Sequence, residues 1–324
     1  MRAPSPAVQP SPQLYFVLSA VFHYLGPSFA VLLFARMPVL GVAWLRIATA
    51  AVIFALWRRP WRAVAALDPA GRRLLLGWGA VLALMNACFY LAIARLPLGT
   101  VAAIEFLPVI ALGALGARSP RNATALALAV AGVYLLADVR FAGDPAGVAL
   151  AVANALLFAA YIVLADRVAK HPAIAGIDGL AGAMLIALVV ITPIGGPQAR
   201  AALLDPAALL AGIGVGIASS VIPYVADQLA MARLPRATYA LMVSLLPATA
   251  TVVGVLVLSQ MPSGTEIVGV ALVVGGVALH RPSTRPNARP GAAAGARVTE
   301  RPARPRPAPP PCCGTPARAP PAHP

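Results

Sequence analysis

The sequence predicts an all-α integral membrane protein, with ten transmembrane helices arranged as two inverted five-helix repeats. Three observations predict it. Of 324 residues, 60% are hydrophobic and only 11% charged, with a mean hydropathy of +0.83, far too apolar for an ordinary water-soluble domain. Ten predominantly apolar stretches approach the roughly 20 residues a spanning helix needs. Finally, Ala92-Ile93-Ala94-Arg95-Leu96-Pro97 returns as Ala230-Met231-Ala232-Arg233-Leu234-Pro235, each time at a joint between apolar stretches. Five apolar segments separate the copies, so the second half enters the bilayer with opposite orientation.

The elements follow in order after a short cytoplasmic N-terminal tail, residues 1–13. The first span, 14–35, carries His23 and Tyr24 ahead of Gly26-Pro27 and turns at Arg36-Met37-Pro38. It is long, lacks a convincing small-residue cleavage site and is followed by nine more spans, so it reads as a retained helix rather than a signal peptide. The second, 39–57, has Arg46 as its eighth residue; the third, 74–94, has Asn86 and Tyr90 four apart and therefore on one face. The fourth, 98–117, has Glu105 as its eighth residue, and 122–138 completes the first repeat, residues 14–138. In the second repeat, residues 139–280, the span 146–165 carries Asn154 and Tyr161, and 173–194 carries Asp178 near its start. The eighth span, 207–231, runs from Gly212-Ile213-Gly214-Val215-Gly216 through Ser219-Ser220 to Pro223 and Asp227. Spans 237–258 and 264–280 close the repeat. Pro, Gly and Arg at the joints are what helical hairpins turn on. Short alternating segments of an outer-membrane barrel are absent from the sequence.

Lys and Arg set the orientation, because cytoplasmic loops keep positive charge. With both termini cytoplasmic, twelve basic residues outside the C-terminal tail face inward, and only Arg36, Arg95, Arg140 and Arg200 face outward. The net charge of +15 therefore reports topology and tail composition, and no nucleic acid partner is expected. Residues 281–324, rich in Pro, Arg and Ala, form a cytoplasmic tail whose composition predicts disorder. Cys88 lies in a span, and Cys312-Cys313 make neither a zinc set nor a disulfide framework.

Charge within a span costs at least roughly 2.5–3.5 kcal/mol on insertion scales, so intramembrane ionisable residues mark candidate sites. Arg46 and Glu105 lie far from both ends of their helices, at comparable depth and with opposite sign. They invite pairing, either as a static buried ion pair that fixes packing or as a substrate and proton site. A carboxyl group kept from water can carry a proton; a guanidinium releases none and instead holds an anion. Asp227 lies one turn beyond Pro223, whose missing N–H and ring should free a carbonyl near Ser219, a break tolerated in a membrane only beside protein or water. His23, Asn86, Tyr90 and Tyr161 complete the binding candidates. Pro27, Pro108, Pro223 and Pro247 are the helix-break and hinge candidates. Asp178 reads as a solvated end charge, notable because Ile177-Asp178 takes the place in the second half of Leu45-Arg46 in the first.

The stretches Gly26 to Phe34, Leu45-Arg46, Arg59-Pro60-Trp61-Arg62, Ile104-Glu105-Phe106-Leu107-Pro108, Ala160-Tyr161-Ile162, Ser219 to Tyr224 and Ala230 to Pro247 resemble the EamA-type drug/metabolite transporter superfamily, and within it the threonine and homoserine exporters. The resemblance spans roughly residues 14–280 through many short matches in order. It implies a central cavity lined by helices one to four and six to nine, peripheral fifth and tenth helices, and a homodimer in some members. Residues and resemblance together lead to the expectation of an inner-membrane, multi-pass exporter of small polar metabolites, with protons as the coupling ion: Glu105 as proton site, Arg46 orienting a substrate carboxylate or holding Glu105 between cycles, and Asp227 meeting an amino group at the inner mouth. The family's glutamate before the proline of the ninth helix is replaced here by Leu246, and the acid usual at that helix's end by the run Leu258-Ser259-Gln260.

No cofactor or metal is expected. The chain lacks a Gly-x-x-x-x-Gly-Lys-Ser/Thr phosphate cradle and a His-Glu-x-x-His set, which also argues against an enzyme. Multidrug or other metabolite efflux is the alternative within transport. A non-transporting scaffold or lipid-handling subunit is the alternative outside it, and a low aromatic content of 6% weighs against a drug cavity.

Overall fold

The computed structural model describes residues 12–65, 67–116, 119–141, 144–169, 171, 177–231 and 245–279, with side chains undescribed at 12–13, 62–63, 109, 112–116, 137–141, 169, 201 and 227–231. Among the described residues the chain is helical and has no strand: α1 (Pro12–Leu33), α2 (Val39–Arg58), α3 (Trp61–Ala65), α4 (Pro69–Ile93), α5 (Leu98–Gly116), α6 (Pro120–Phe141), α7 (Pro145–Ala169), α8 (Ile177–Leu204), α9 (Pro206–Gly216), a π turn (Ile217–Val221), α10 (Ile222–Met231), α11 (Leu246–Leu258) and α12 (Gly264–Leu279). Among the described residues, six stretches are long and apolar enough to cross a membrane: Leu14–Leu33, Val39–Arg58, Pro69–Ile93, Pro145–Val168, Ile177–Arg200 and Pro206–Ala226. The other predicted segments correspond to shorter apolar helices at Leu98–Pro108, Pro120–Leu136, Leu246–Leu258 and Gly264–Leu279.

Two described boundaries differ from the sequence reading by five residues or more, and the first part of the predicted ninth span, 237–244, lies outside the described residues. The third helix begins at Pro69 instead of 74, because Asp68 accepts the Gly71 N–H at 2.9 Å and caps the helix there. The seventh runs on to Leu204 through Pro193 and Pro197, since a proline within a membrane helix is tolerated where neighbours meet the freed groups. Asp205 then caps α9 through the Ala207 N–H at 2.9 Å. Asp144 stands at the start of α7, accepting the Gly147 N–H at 2.8 Å. That bond, with Arg95 at 3.4 Å, holds its carboxyl below the usual range.

Packing brings the two halves together along their length. α2 lies against α8, α4 against α7 and α8, α1 against α10 and α11, and α5 against α6, α7 and α11. α6 and α12 pack on each other closely enough that a Cβ at Gly132 would stand 2.6 Å from the Gly269 carbonyl oxygen. Many exposed residues on the outer faces are large and apolar, including Leu56, Leu156, Val189 and Leu256, as a lipid-facing surface requires.

The π turn has a sequence origin. Asp68-Pro69-Ala70 recurs as Asp205-Pro206-Ala207, an offset of 137 from 68 to 205, whereas Ala92 recurs as Ala230, an offset of 138. The stretch between the two motifs is therefore one residue longer in the second half. A turn closed i→i+5, as in Ile222 N–H to the Ile217 carbonyl, takes up the extra residue without breaking the helix.

Candidate substrate cavity

A small, partly open cavity of about 60 Å³ lies among α1, α2, α4, α5, α7 and α10. His23 and Pro27 reach it from α1, Arg46 from α2, Asn86 with Met85 and Phe89 from α4, and Glu105 from α5. From the second half come Asn154, Phe158 and Tyr161 of α7 and Tyr224 of α10. α6 and α12, the fifth and tenth helices of the sequence reading, contribute no lining residue among those described.

Arg46 is 7% exposed and held from three directions. Its Nε donates to Ser220 Oγ at 2.9 Å, Nη1 donates to Asn86 Oδ1, and Nη2 donates to the Ser219 carbonyl at 3.2 Å. The guanidinium carbon stands 5.4 Å from the centroid of the Tyr90 ring, a cation–π arrangement. Asn86 gives its own Nδ2–H to the Leu82 carbonyl at 2.7 Å, which fixes its oxygen toward Arg46. Helical spacing thus brings Asn86 and Tyr90 together, and their common partner is Arg46.

Both serines belong to the π turn. The Ser219 carbonyl lies four residues before Pro223, which has no N–H to offer it; Arg46 supplies the donor instead. α1 approaches this turn directly. A Cβ at Gly26 would stand 2.4 Å from Ser219 Cβ and 2.6 Å from its Cα, so only glycine fits there.

Glu105, 8% exposed, accepts the Asn154 Nδ2–H at 3.1 Å. The ion pair that opposite charges at matching depth invite does not form among the described residues. Arg46 spends its planar fork on Asn86 and the π turn, and Glu105 is taken by Asn154 across the cavity. Both charges nevertheless face one space.

The other candidates fall as follows. His23 and Tyr161 line the cavity, and Tyr161 stacks on Phe158 with centroids 6.3 Å apart. Pro27 and Pro108 lie inside α1 and α5, Pro223 lies at the start of α10, and Pro247 lies in the first turn of α11. The Asp227 side chain lies outside the described residues. Asp178 pairs with Arg58 at 2.7 Å on the exposed surface. Sequence reading missed Met85, Phe89, Phe158 and Tyr224 as lining residues; apolar and aromatic side chains facing a cavity look in sequence like those facing lipid. It also missed Glu266, 4% exposed. Here a signal existed: Ser263 and Glu266, three apart, form a reciprocal capping box, with Glu266 Oε2 accepting the Ser263 N–H at 2.9 Å and Ser263 Oγ accepting the Glu266 N–H at 3.3 Å.

Residues 145–280 match the EamA-like transporter family. The chain is 33% identical over 254 residues to the threonine/homoserine exporter RhtA of Salmonella typhimurium (strain LT2), covering 77% of this chain and 84% of that protein. It belongs to the EamA-like transporter family. The threonine/homoserine exporter RhtA of Escherichia coli (strain K12) is likewise 33% identical, over 255 residues with the same coverage. A solved crystal structure shares the fold with a TM-score of 0.57 at 20% identity, over 83% of this chain and 97% of its own. Like its family, this EamA-like protein is a multi-pass membrane transporter, and the buried Arg46, Asn86, Glu105 and Asn154 all line its cavity.

Proposed function

We propose that this protein is an inner-membrane secondary transporter that exports small polar metabolites, amino acids of the threonine/homoserine type, by proton-coupled alternating access. The observation that carries the reading is the pairing of Arg46 and Glu105 in one cavity without a direct bond between them. A zwitterionic solute needs a cation and an anion at separate points, and a static ion pair would leave neither available. Both exporter relatives from Salmonella and Escherichia coli carry threonine/homoserine in their names, which supports the substrate class.

Alternating access is supported by the packing. If the first five spans (α1, α2, α4, α5, α6) correspond in order to the second five (α7, α8, α9–α10, α11, α12), contacts exchange in pairs: α1 with α10 as α7 with α4, α1 with α11 as α7 with α5, α2 with α9 as α8 with α4. This is the relation a two-fold axis between the halves produces; with five spans in each half that axis lies in the membrane plane, and rocking of such halves about a midplane site moves solute. Ten spans in two inverted repeats then leave both termini on one side, which the Lys and Arg distribution makes the cytoplasmic one. Glu105 is the proton carrier of the proposal, a carboxyl group with no cation within bonding distance in the described structure. Arg46 holds the substrate carboxylate.

Flux of a mixed amino-acid panel into proteoliposomes containing only this protein tests the reading. Transport of threonine or homoserine is the expected result; transport of lipophilic drugs alone, or of nothing in the panel, would overturn it.

A further inference from the structure

The cavity has two chemically different poles. At Arg46 each of the three guanidinium nitrogens makes one hydrogen bond, and two of the five N–H donors remain for an incoming carboxylate. The other pole is at Glu105 and Asn154. Asn154 is fully buried and lines the cavity, with its Nδ2 donating to Glu105 at 3.1 Å. Its Oδ1 is buried and has no hydrogen-bond partner. Buried amide oxygens are normally satisfied, and this one cannot turn to find a donor without giving up Glu105.

Resting on the reading of the cavity as a substrate site, we infer that Asn154 and Glu105 together recognise the substrate's α-ammonium group, which makes Asn154 the residue that requires an amine. The donor count decides the ligand chemistry. Asn154 Oδ1 and a carboxylate at Glu105 are acceptors only, so the group that meets both must bring at least two donors and tolerate negative charge. An ammonium brings three and is positive; a hydroxyl brings one. A site whose buried acceptors need filling rejects the analogue that cannot fill them. Met85, Phe89 and Phe158 beside these poles offer apolar surface for a short side chain.

Equilibrium binding to the purified full chain in lipid nanodiscs tests this, with L-homoserine and its 2-hydroxy counterpart, 2,4-dihydroxybutyrate, as probes. The wild-type protein should prefer homoserine by at least about tenfold. Asn154→Leu, similar in volume and without an acceptor, should lose most of that preference by weakening homoserine while leaving the hydroxy acid within about threefold. A folded Asn154→Leu protein that weakens both probes equally, or keeps the full preference, overturns the assignment. Wild-type protein that binds neither probe overturns the cavity reading itself and this inference with it.

Discussion

Replacing Asn86 by leucine should destabilise the protein by about 1.5–3 kcal/mol, and nearly all of that cost should vanish when Arg46 is absent. Asn86 Oδ1 accepts from Arg46 Nη1, and Asn86 is 3% exposed. Leucine fills similar space, so the change is mainly the loss of an acceptor from a buried cation. Hydrogen bonds to charged groups contribute about 1.5–3 kcal/mol, whereas neutral interhelical bonds in a membrane protein average only about 0.6. The magnitude therefore distinguishes a guanidinium clamp from ordinary polar packing. In an Arg46→Met background the same substitution removes only the bond from Asn86 Nδ2 to the Leu82 carbonyl, within its own helix, and should cost well under 1 kcal/mol. The double-mutant cycle is read by denaturant unfolding in mixed micelles, comparing midpoints at constant slope. Equal costs in both backgrounds would refute the claim that Asn86 serves Arg46.

Gly26→Val should destabilise by about 1–3 kcal/mol through overpacking, because its Cβ would meet Ser219 at 2.4 Å; an unchanged unfolding midpoint would mean that α1 does not rest on the π turn. Asp68 should make a small acid-limb contribution to stability. Hydrogen bonding from the Gly71 N–H first, and from His171 at 3.1 Å next, holds its carboxyl below the usual value of 3.8. Because the folded group is the stronger acid, its contribution is present above that value and is lost as pH falls through the lowered one. Asp68→Asn, which still caps the helix, should flatten the fall in midpoint below about pH 4; an identical acid limb in the variant would contradict the assignment.

Much of the site was legible because hydrocarbon makes charge conspicuous. Arg46 and Glu105 stand out by depth alone, and both line the cavity. Pro223 announced a freed carbonyl near Ser219, and that carbonyl accepts from Arg46. What sequence could not supply was direction across helices. Attraction between opposite charges suggested that Arg46 and Glu105 bind each other, whereas the nearer groups for Arg46 come from a turn 173 residues away in sequence and the nearer group for Glu105 comes from α7. The π turn was readable in principle, since the offset between repeats changes from 137 to 138 across it. Phe89 and Phe158 had no such signal, because nothing local separates a cavity-facing aromatic from a lipid-facing one.

The central claim is that an amino acid and a proton move through the cavity at Glu105. Flux of threonine and homoserine in proteoliposomes, driven by an imposed pH gradient, tests it most directly when wild type is compared with Glu105→Gln, which removes the titratable group and keeps its shape. The account predicts gradient-driven flux in the wild type and its loss in a folded Glu105→Gln protein. Undiminished, pH-dependent flux in that variant would contradict it.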